Sequence, residues 1–573
     1  MRSLLSIATA IFLLLAAAPV SSFPASSRRV SSGTLIDADG SDGYSGDYVV
    51  IFNPSANPEN VKSTGDMTGL IETEVEPYSW YKEGKLPSGS RDAYMRDVDA
   101  ELAAEAKELG GYLPGGCGRA SWSFEVGDVH TFYVYWYSPL PDHNIDFKVL
   151  AKGEHCYIWT PVSDDPNVWP LDSLDPDYAQ QAADVFDSKF DLMRKSFGDQ
   201  WDGDYGDGRL SLLFYNIDDG WTIGDGAYIG GYFFSYDYYY NGLPIINIDT
   251  YPTIRYTYDD GTVTEDISYV YGCMVHEYQH LINYSQCGYT DDWVNEMMSA
   301  AAEEICFPGS SVVGRLLSWT NYYEQGGYNL LNPPSEVEYV PEYPLENGFS
   351  LYGWDADTPD VLVLYAQVSL FAQYLYTHYG NSFFHDLMDS LSDGSPSVFA
   401  LENASDEDAI KLAEEFRVAL TANTELSEYG GRYAFKPQDG YDPDEYYGIE
   451  NPYDLLCPVV FTGRRCDIQG GGAICVKPVG GVYYPPQGAS SGLVYYGVTR
   501  NAEQTILPGD ADLNGAVTAN DALLVMRASL GLVTLTPKQE LAADIDGSGT
   551  VTANDALIIM RMSLGLLRLR RKL

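Results

Sequence analysis

The sequence predicts a multidomain α+β protein: β-rich regions flank a central helical region, and a small α-helical module closes the chain. Three observations carry this prediction. Runs such as Thr131-Phe132-Tyr133-Val134-Tyr135-Trp136 are aromatic and β-branched, as strands are. Apolar residues at helical spacing fill 264–307 and 358–391. The last stretch contains two near-copies of an acidic loop, at 510–531 and 544–565. The 573 residues suggest about four domains at roughly 150 residues each.

Met1 and Arg2 precede an apolar run from Leu4 to Val20 and then Ser21-Ser22, which reads as a cleaved signal peptide over 1–22. The protein is therefore expected outside the cell. Residues 23–115 read as a propeptide or N-terminal extension, with a strand-like run at 48–52 and a charged helical stretch at 91–109. A β-rich region covers 116–165. The central domain, 166–435, opens with an amphipathic helix from Asp177 to Phe197, followed by strands at Leu210–Tyr215 and Ile245–Ile248. A further helical pattern runs from Asp406 to Leu420. The uncharged run Val361 to Gly380 contains Gln367, Ser369, Gln373, Thr377 and His378, so it reads as a buried helix and not as a membrane span. Residues 436–500 return to β character, 501–508 read as a linker, and 509–567 form the terminal module.

The 33 basic and 82 acidic side chains give a net charge of −49. Phosphate backbones and anionic membrane surfaces need a basic patch, so both are excluded as partners. Disorder is excluded as well, because 45% of residues are hydrophobic and 14% aromatic. Eight cysteines permit disulfides in a secreted chain. A bridge within Cys457, Cys466 and Cys475 and a Cys287–Cys306 bridge are the expected pairings.

His276-Glu277-Tyr278-Gln279-His280 carries the sharpest chemistry. Positions i and i+4 share a helix face, so both imidazoles can reach one Zn²⁺, with Glu277 beside it as general base. Val270, Met274, Val275, Tyr278, Leu281 and Ile282 supply an apolar stripe, and Asp266 or Ser268 a cap. Catalytic zinc takes three protein ligands and keeps a position open. A second helix, starting at Asp291 or Asp292, offers Glu296 as the third ligand. Fifteen residues separate Glu296 from His280, enough for a helix end, a turn and a helix start. Glu303 and Glu304 are rivals or supporting partners to a ligand His. An oxyanion donor is expected downstream, where Tyr365, His378 and His385 stay open.

His276-Glu277-x-x-His280 followed by Trp293-x-Asn295-Glu296 resembles the gluzincin metallopeptidases, and residues 150–390 resemble the hyicolysin family. Gly153-Glu154-His155-Cys156-Tyr157-Ile158-Trp159, Tyr228-Ile229-Gly230-Gly231-Tyr232-Phe233 and Tyr374-Leu375-Tyr376 with Tyr379-Gly380-Asn381 carry the wider match. The resemblance implies a zincin-type domain that hydrolyses protein or peptide substrates, with Glu296 as a zinc ligand. Thermolysin-type members place an Asp four residues after that Glu to orient a His. Ala300 stands there in this chain, so the orienting group must come from elsewhere.

In the terminal repeat, oxygen-bearing side chains fall at positions 1, 3, 5, 9 and 12 of each loop. They are Asp510, Asp512, Asn514, Thr518 and Asp521, then Asp544, Asp546, Ser548, Thr552 and Asp555. Hard oxygens around a glycine turn suit Ca²⁺. One apolar helix follows each loop. The pattern resembles a type I dockerin, which implies docking to a cohesin module of a scaffoldin in a cellulosome. The partner would be read by Ala519, Asn520, Met526 and Arg527, or by Ala553, Asn554, Met560 and Arg561. A weaker acidic cluster, Asp202 to Asp207, suits either Ca²⁺ or a turn. The leading expectation is a secreted zinc metallopeptidase using zinc and calcium. A catalytically silent cellulosomal component and a carbohydrate-active enzyme are the alternatives.

Overall fold

The computed structural model describes residues 29–73, 94–96, 122–135, 144–162, 174–217, 219, 227–257, 261–311, 348–354, 361–444, 451–456, 458–506, 508–512, 516–535, 537–545 and 549–564. The expected signal peptide, residues 91–93 and 97–109 of the expected charged helix, Cys117, Cys457, Asn514, Asp546 and Ser548 lie outside these residues. Within that charged stretch Tyr94–Arg96 is corrected to a strand, paired parallel with Ala227–Ile229. One structural unit spans Ile36–Val498, and a second contains the C-terminal module.

The larger unit is built on a six-stranded sheet. Its strands are β1 (Val129–Tyr133), β2 (Asn144–Lys152), β3 (Cys156–Pro161), β4 (Leu210–Tyr215), β5 (Gly231–Tyr232) and β6 (Ile245–Asp249). Their spatial order is β5-β6-β4-β3-β2-β1. β6 pairs parallel with β4, and β4 with β3, whereas β3 with β2 and β2 with β1 pair antiparallel. β5 pairs antiparallel with β6 at the sheet's edge. β3, β4 and β6 are buried along their whole length and read as apolar runs, as central parallel strands do.

Helices cover this sheet. α1 (Pro176–Phe197) starts at Asp175, whose carboxylate accepts the Asp177 amide, and buries Ala179, Ala183, Phe186, Phe190 and Met193. α2 (Val270–Cys287) and α3 (Asp292–Cys306) pack on α1 and on each other. α4 (Val361–Tyr379), α5 (Ser382–Ser392), α6 (Ser397–Ser405) and α7 (Ala409–Ala422) complete the layer. The uncharged 361–380 run is therefore a core helix, with Leu364, Val368, Phe371 and Leu375 buried. No helix among the described residues is long and apolar enough to cross a membrane.

A four-stranded sheet joins distant parts of the chain, in the order Arg29–Asp37, Val494–Ile506, Tyr48–Phe52, Ala473–Val476. Tyr48–Phe52 pairs antiparallel with both of its neighbours. Residues 501–506, read from sequence as linker, continue the strand that begins at Val494. Arg417 on α7 is buried and donates to the carbonyls of Phe349 and Gly471, tying the helices to this region. Burial lowers its pKa to about 9.

The expected Cys287–Cys306 bridge is corrected: both are free thiols. α2 and α3 are joined by a four-residue turn, so Cys287 ends one helix near the start of the other. Cys306 lies at the far end of α3, about 20 Å along a 15-residue helix. A disulfide requires Cα atoms within about 7 Å. Cys466 is also a free thiol.

The C-terminal module has three helices, α8 (Ala519–Ser529), α9 (Pro537–Ala543) and α10 (Ala553–Ser563), around Ala522, Val525, Ala543, Ala556 and Ile559.

Residues 36–73 hold a central strand whose Val49, Val50, Ile51 and Phe52 are buried, so they contribute to the stability of the larger unit. Phe52→Ala is expected to destabilise that unit by about 3–5 kcal/mol, the cost of emptying a buried Phe site. Urea unfolding of the full chain, followed by aromatic circular dichroism, measures this.

Candidate metal centre

α2 is entered through a 3₁₀ turn, Ile267–Tyr269, capped by Asp266, whose carboxylate accepts the Ser268 amide at 2.9 Å. Asp266 is therefore the cap, one turn earlier than the α-helix itself. α2 ends at Gly288, whose φ of 68° is costly for any side chain, and whose amide donates back to the Tyr284 carbonyl. The chain turns and α3 starts after Asp291, which occupies the N-cap position without a side-chain cap bond. Asp292 supplies the acidic first turn.

This turn brings Glu296 against the imidazoles of α2. The carboxylate is 0% exposed, and Oε2 stands 3.5 Å from His276 Nε2 and 3.6 Å from His280 Nε2. These separations exceed the 2.7–3.2 Å range of N–H···O bonds. Ligands of a tetrahedral ion at about 2.1 Å stand about 3.4 Å from one another. His276, His280 and Glu296 each offer one atom within 4.8 Å of the others, and all three are buried. Two nitrogens and one carboxylate oxygen, spaced too widely to bond each other, fit zinc.

The other edge of each imidazole is held by α3. Glu303 Oε1 lies 2.7 Å from His276 Nδ1. Ser299 Oγ lies 3.0 Å from His280 Nδ1 and donates to Gln279. These two residues do the work that Ala300 cannot. Sequence reasoning singled out Glu303 without separating it from Glu304, and it missed Ser299. Both lie on the Glu296 face of α3, at offsets of three and seven, and that spacing is the signal that finds them. Glu304 points elsewhere: it is buried and accepts from the Gly309 amide and from the Ser311 amide and hydroxyl. Burial raises its pKa, against those hydrogen bonds.

Glu277 is buried between α2 and the sheet edge, with its Oε1 3.9 Å from Cys273 Sγ. Gly231 on β5 makes this approach possible. A Cβ at that position would lie 2.6 Å from Cys273 Sγ and 3.3 Å from Glu277 Cγ.

Each of the three downstream residues considered as oxyanion donors has a neighbour in the fold. Tyr365 packs edge-on to Trp354, His378 packs on Tyr374, and His385 stands half-exposed beside Asp389. In the 202–207 cluster, Asp207 accepts from the Tyr157 hydroxyl at 2.6 Å and pairs with Arg209 at 2.7 Å. Burial pushes its pKa up, but these partners hold it below the usual carboxylate value. Asp207 thus anchors the turn into β4.

In the C-terminal module, Asp510, Asp512 and Asp521 bring carboxylate oxygens within 4.8 Å of one another. Asp521 also accepts from the Asp512 amide and from the Thr518 amide and hydroxyl, closing a capping box on α8. Thr552 and Asp555 repeat the box on α10. Asp544 accepts the Gly549 amide. The hydroxyls of Thr518 and Thr552 are thus engaged with the caps. Ala519, Asn520, Arg527, Ala553 and Asn554 are exposed, and Met526, Met560 and Arg561 are half-buried.

Residues 508–562 match the dockerin type I domain. The chain is also similar to the neutral metalloprotease ShpI of Staphylococcus hyicus, with 30% identity over 300 residues. That match covers 48% of this chain and 59% of the relative, so it spans less than two thirds of that protein's length.

If Glu303 fixes the tautomer and orientation of His276, Glu303→Ala lowers metal affinity about 10–100-fold, the usual cost of losing such a partner. Zinc competition with a chromogenic chelator reads this, and Ser299→Ala is expected to show the same effect through His280.

Proposed function

We propose that the chain is a secreted zinc metalloendopeptidase of the gluzincin type, carried on a cellulosome scaffoldin by a calcium-binding dockerin. The convergence of Glu296 on His276 and His280 carries the first half of this reading. The likeness to a neutral metalloprotease and the dockerin match support the two halves separately.

His276, His280 and Glu296 would hold the zinc. A bound zinc ion supplies Lewis acidity toward a carbonyl and lowers the pKa of water. Glu277 accepts the proton of the attacking water and passes it to the leaving amine. Its neighbours Cys273 and Gly231 keep the carboxylate confined to the space between α2 and β5. Among the described residues β5 pairs with β6 on one side, and its other side would offer backbone groups along which an extended peptide can lie. Glu303 and Ser299 keep the two imidazoles turned toward Glu296.

In the terminal module, Asp510, Asp512, Asp521, Asp544 and Asp555 are the calcium carboxylates of this reading, joined by Asp546, Asn514 and Ser548. A cohesin would be met by Ala519, Asn520, Met526 and Arg527, or by their counterparts at Ala553, Asn554, Met560 and Arg561. The acidic chain needs no basic partner for either task.

Glu277→Gln should retain zinc and lose caseinolytic activity by about 10²–10⁴-fold, the typical contribution of a general base. Metal analysis beside a casein assay tests this, and undiminished cleavage would sink the mechanism. A parallel reducing-sugar assay on polysaccharide should stay at background. Capture of the full chain by an immobilised cohesin should require Ca²⁺ and disappear in EGTA; capture that survives EGTA would overturn the docking half.

A further inference from the structure

A small cavity of about 30 Å³ opens beside His280. A water molecule needs roughly 10–15 Å³ on this measure, so the space admits about two waters, or a methyl or hydroxymethyl group. Phe233, Tyr284 and Tyr289 form its aromatic walls, and Ser235, Asn295 and Asp292 its polar side.

Its position gives it a role. His280 belongs to the metal centre, and Phe233 immediately follows the edge strand β5. The cavity is therefore bounded by an imidazole of the metal centre and by the residue that follows the edge strand. The walls are fixed: the Ser235 and Tyr289 hydroxyls are 2.9 Å apart, the Tyr284 and Tyr289 rings stand edge-to-face at 5.2 Å, and Phe233 packs on Tyr284 at 5.7 Å. Such walls do not yield cheaply to a larger group, because packed interiors resist added volume. Asp292 places a carboxylate on the rim and opposes acidic side chains.

We infer that this cavity is a specificity subsite for the residue flanking the cleaved bond, and that it selects glycine, alanine or serine. This rests on the peptidase reading above and adds the substrate class. Of its three aromatic walls, Phe233 follows β5 and Tyr289 lies in the turn between α2 and α3, so the two can be removed separately.

The test is a digest of denatured casein by the full-length zinc-loaded chain, with cleavage sites mapped by mass spectrometry. Glycine, alanine and serine should dominate one of the two positions flanking the cut. Tyr289→Ala and Phe233→Ala each remove a wall, and either should raise cleavage at leucine or phenylalanine relative to alanine there by about 10–100-fold. Circular dichroism establishes which variant folds, and a folded one suffices. Parent cleavage with leucine or phenylalanine as frequent as alanine at both positions overturns the inference alone. A folded wall variant with an unchanged profile does the same. Cleavage that is absent, or identical in Glu277→Gln, overturns the peptidase reading and this inference with it.

Discussion

One carboxylate, Glu296, is kept entirely out of water between two imidazoles, and the surrounding architecture follows from that requirement. Burying an ionised carboxylate costs several kcal/mol unless opposite charge and hydrogen bonds compensate. The chain answers with two helices in fixed register. α2 presents His276 and His280 one turn apart; α3 brings Glu296 and, on the same face, Ser299 and Glu303 to the far edges of those imidazoles. One helix thus supplies a ligand and both tethers. Any rotation of α3 about its axis would disturb all three at once. Trp293, Val294, Met297, Met298 and Ile305 pack the rest of α3 into the main core and prevent such a rotation. The Gly288 turn sets where the second helix begins.

The sheet meets the same centre from the other side. β5 is short and at the edge, and its Gly231 lacks the atom that would strike Cys273 and crowd Glu277. An alanine there would push the strand off the helix and widen the space in which Glu277 works. The missing side chain is therefore part of the site, although it contributes no chemistry. Further away, Tyr48–Phe52 lies between strands that follow it by more than 400 residues. Closing so long a loop costs entropy that only a well-buried strand offsets. Val49, Val50, Ile51 and Phe52 are all buried.

The helix of His276 and His280 was legible in the sequence because its geometry is local: four residues make about one turn, and the apolar stripe shows which way the helix faces. Glu296 was legible for the same reason, since a helix needs only a turn's length to restart after Gly288. The tethers were half-legible. Glu303 and Glu304 differ by about 100° around α3, and only packing reveals which one faces α2. Glu304 is drawn instead to the Gly309 and Ser311 amides. Strand partners were not legible, because alternating apolar residues say that a strand exists and nothing about its neighbour. Cys287 and Cys306 are different: a 15-residue helix with one near its start and the other at its end holds them about 20 Å apart whichever way α3 leaves the turn.

The terminal module uses carboxylates in a different way. Asp521 is buried, yet its oxygens already accept the Asp512 and Thr518 amides and the Thr518 hydroxyl. The Thr518 groups stand at the start of α8, where the helix dipole also favours negative charge, and the Asp512 amide comes from the loop before it. The first turn of the helix therefore holds one side of the acidic loop in place through its own capping box. Asp510 and Asp512 need only close on a partner that is already fixed. Preorganisation of this kind lowers the ordering cost of binding a cation. It also links the loop to the helix it precedes, so that whatever orders Asp510 and Asp512 bears directly on the exposed residues Ala519, Asn520 and Arg527 at the surface of α8. The net charge of −49 is thus more than a general solvating feature: in this loop the carboxylates of Asp510, Asp512 and Asp521 converge to within 4.8 Å of one another.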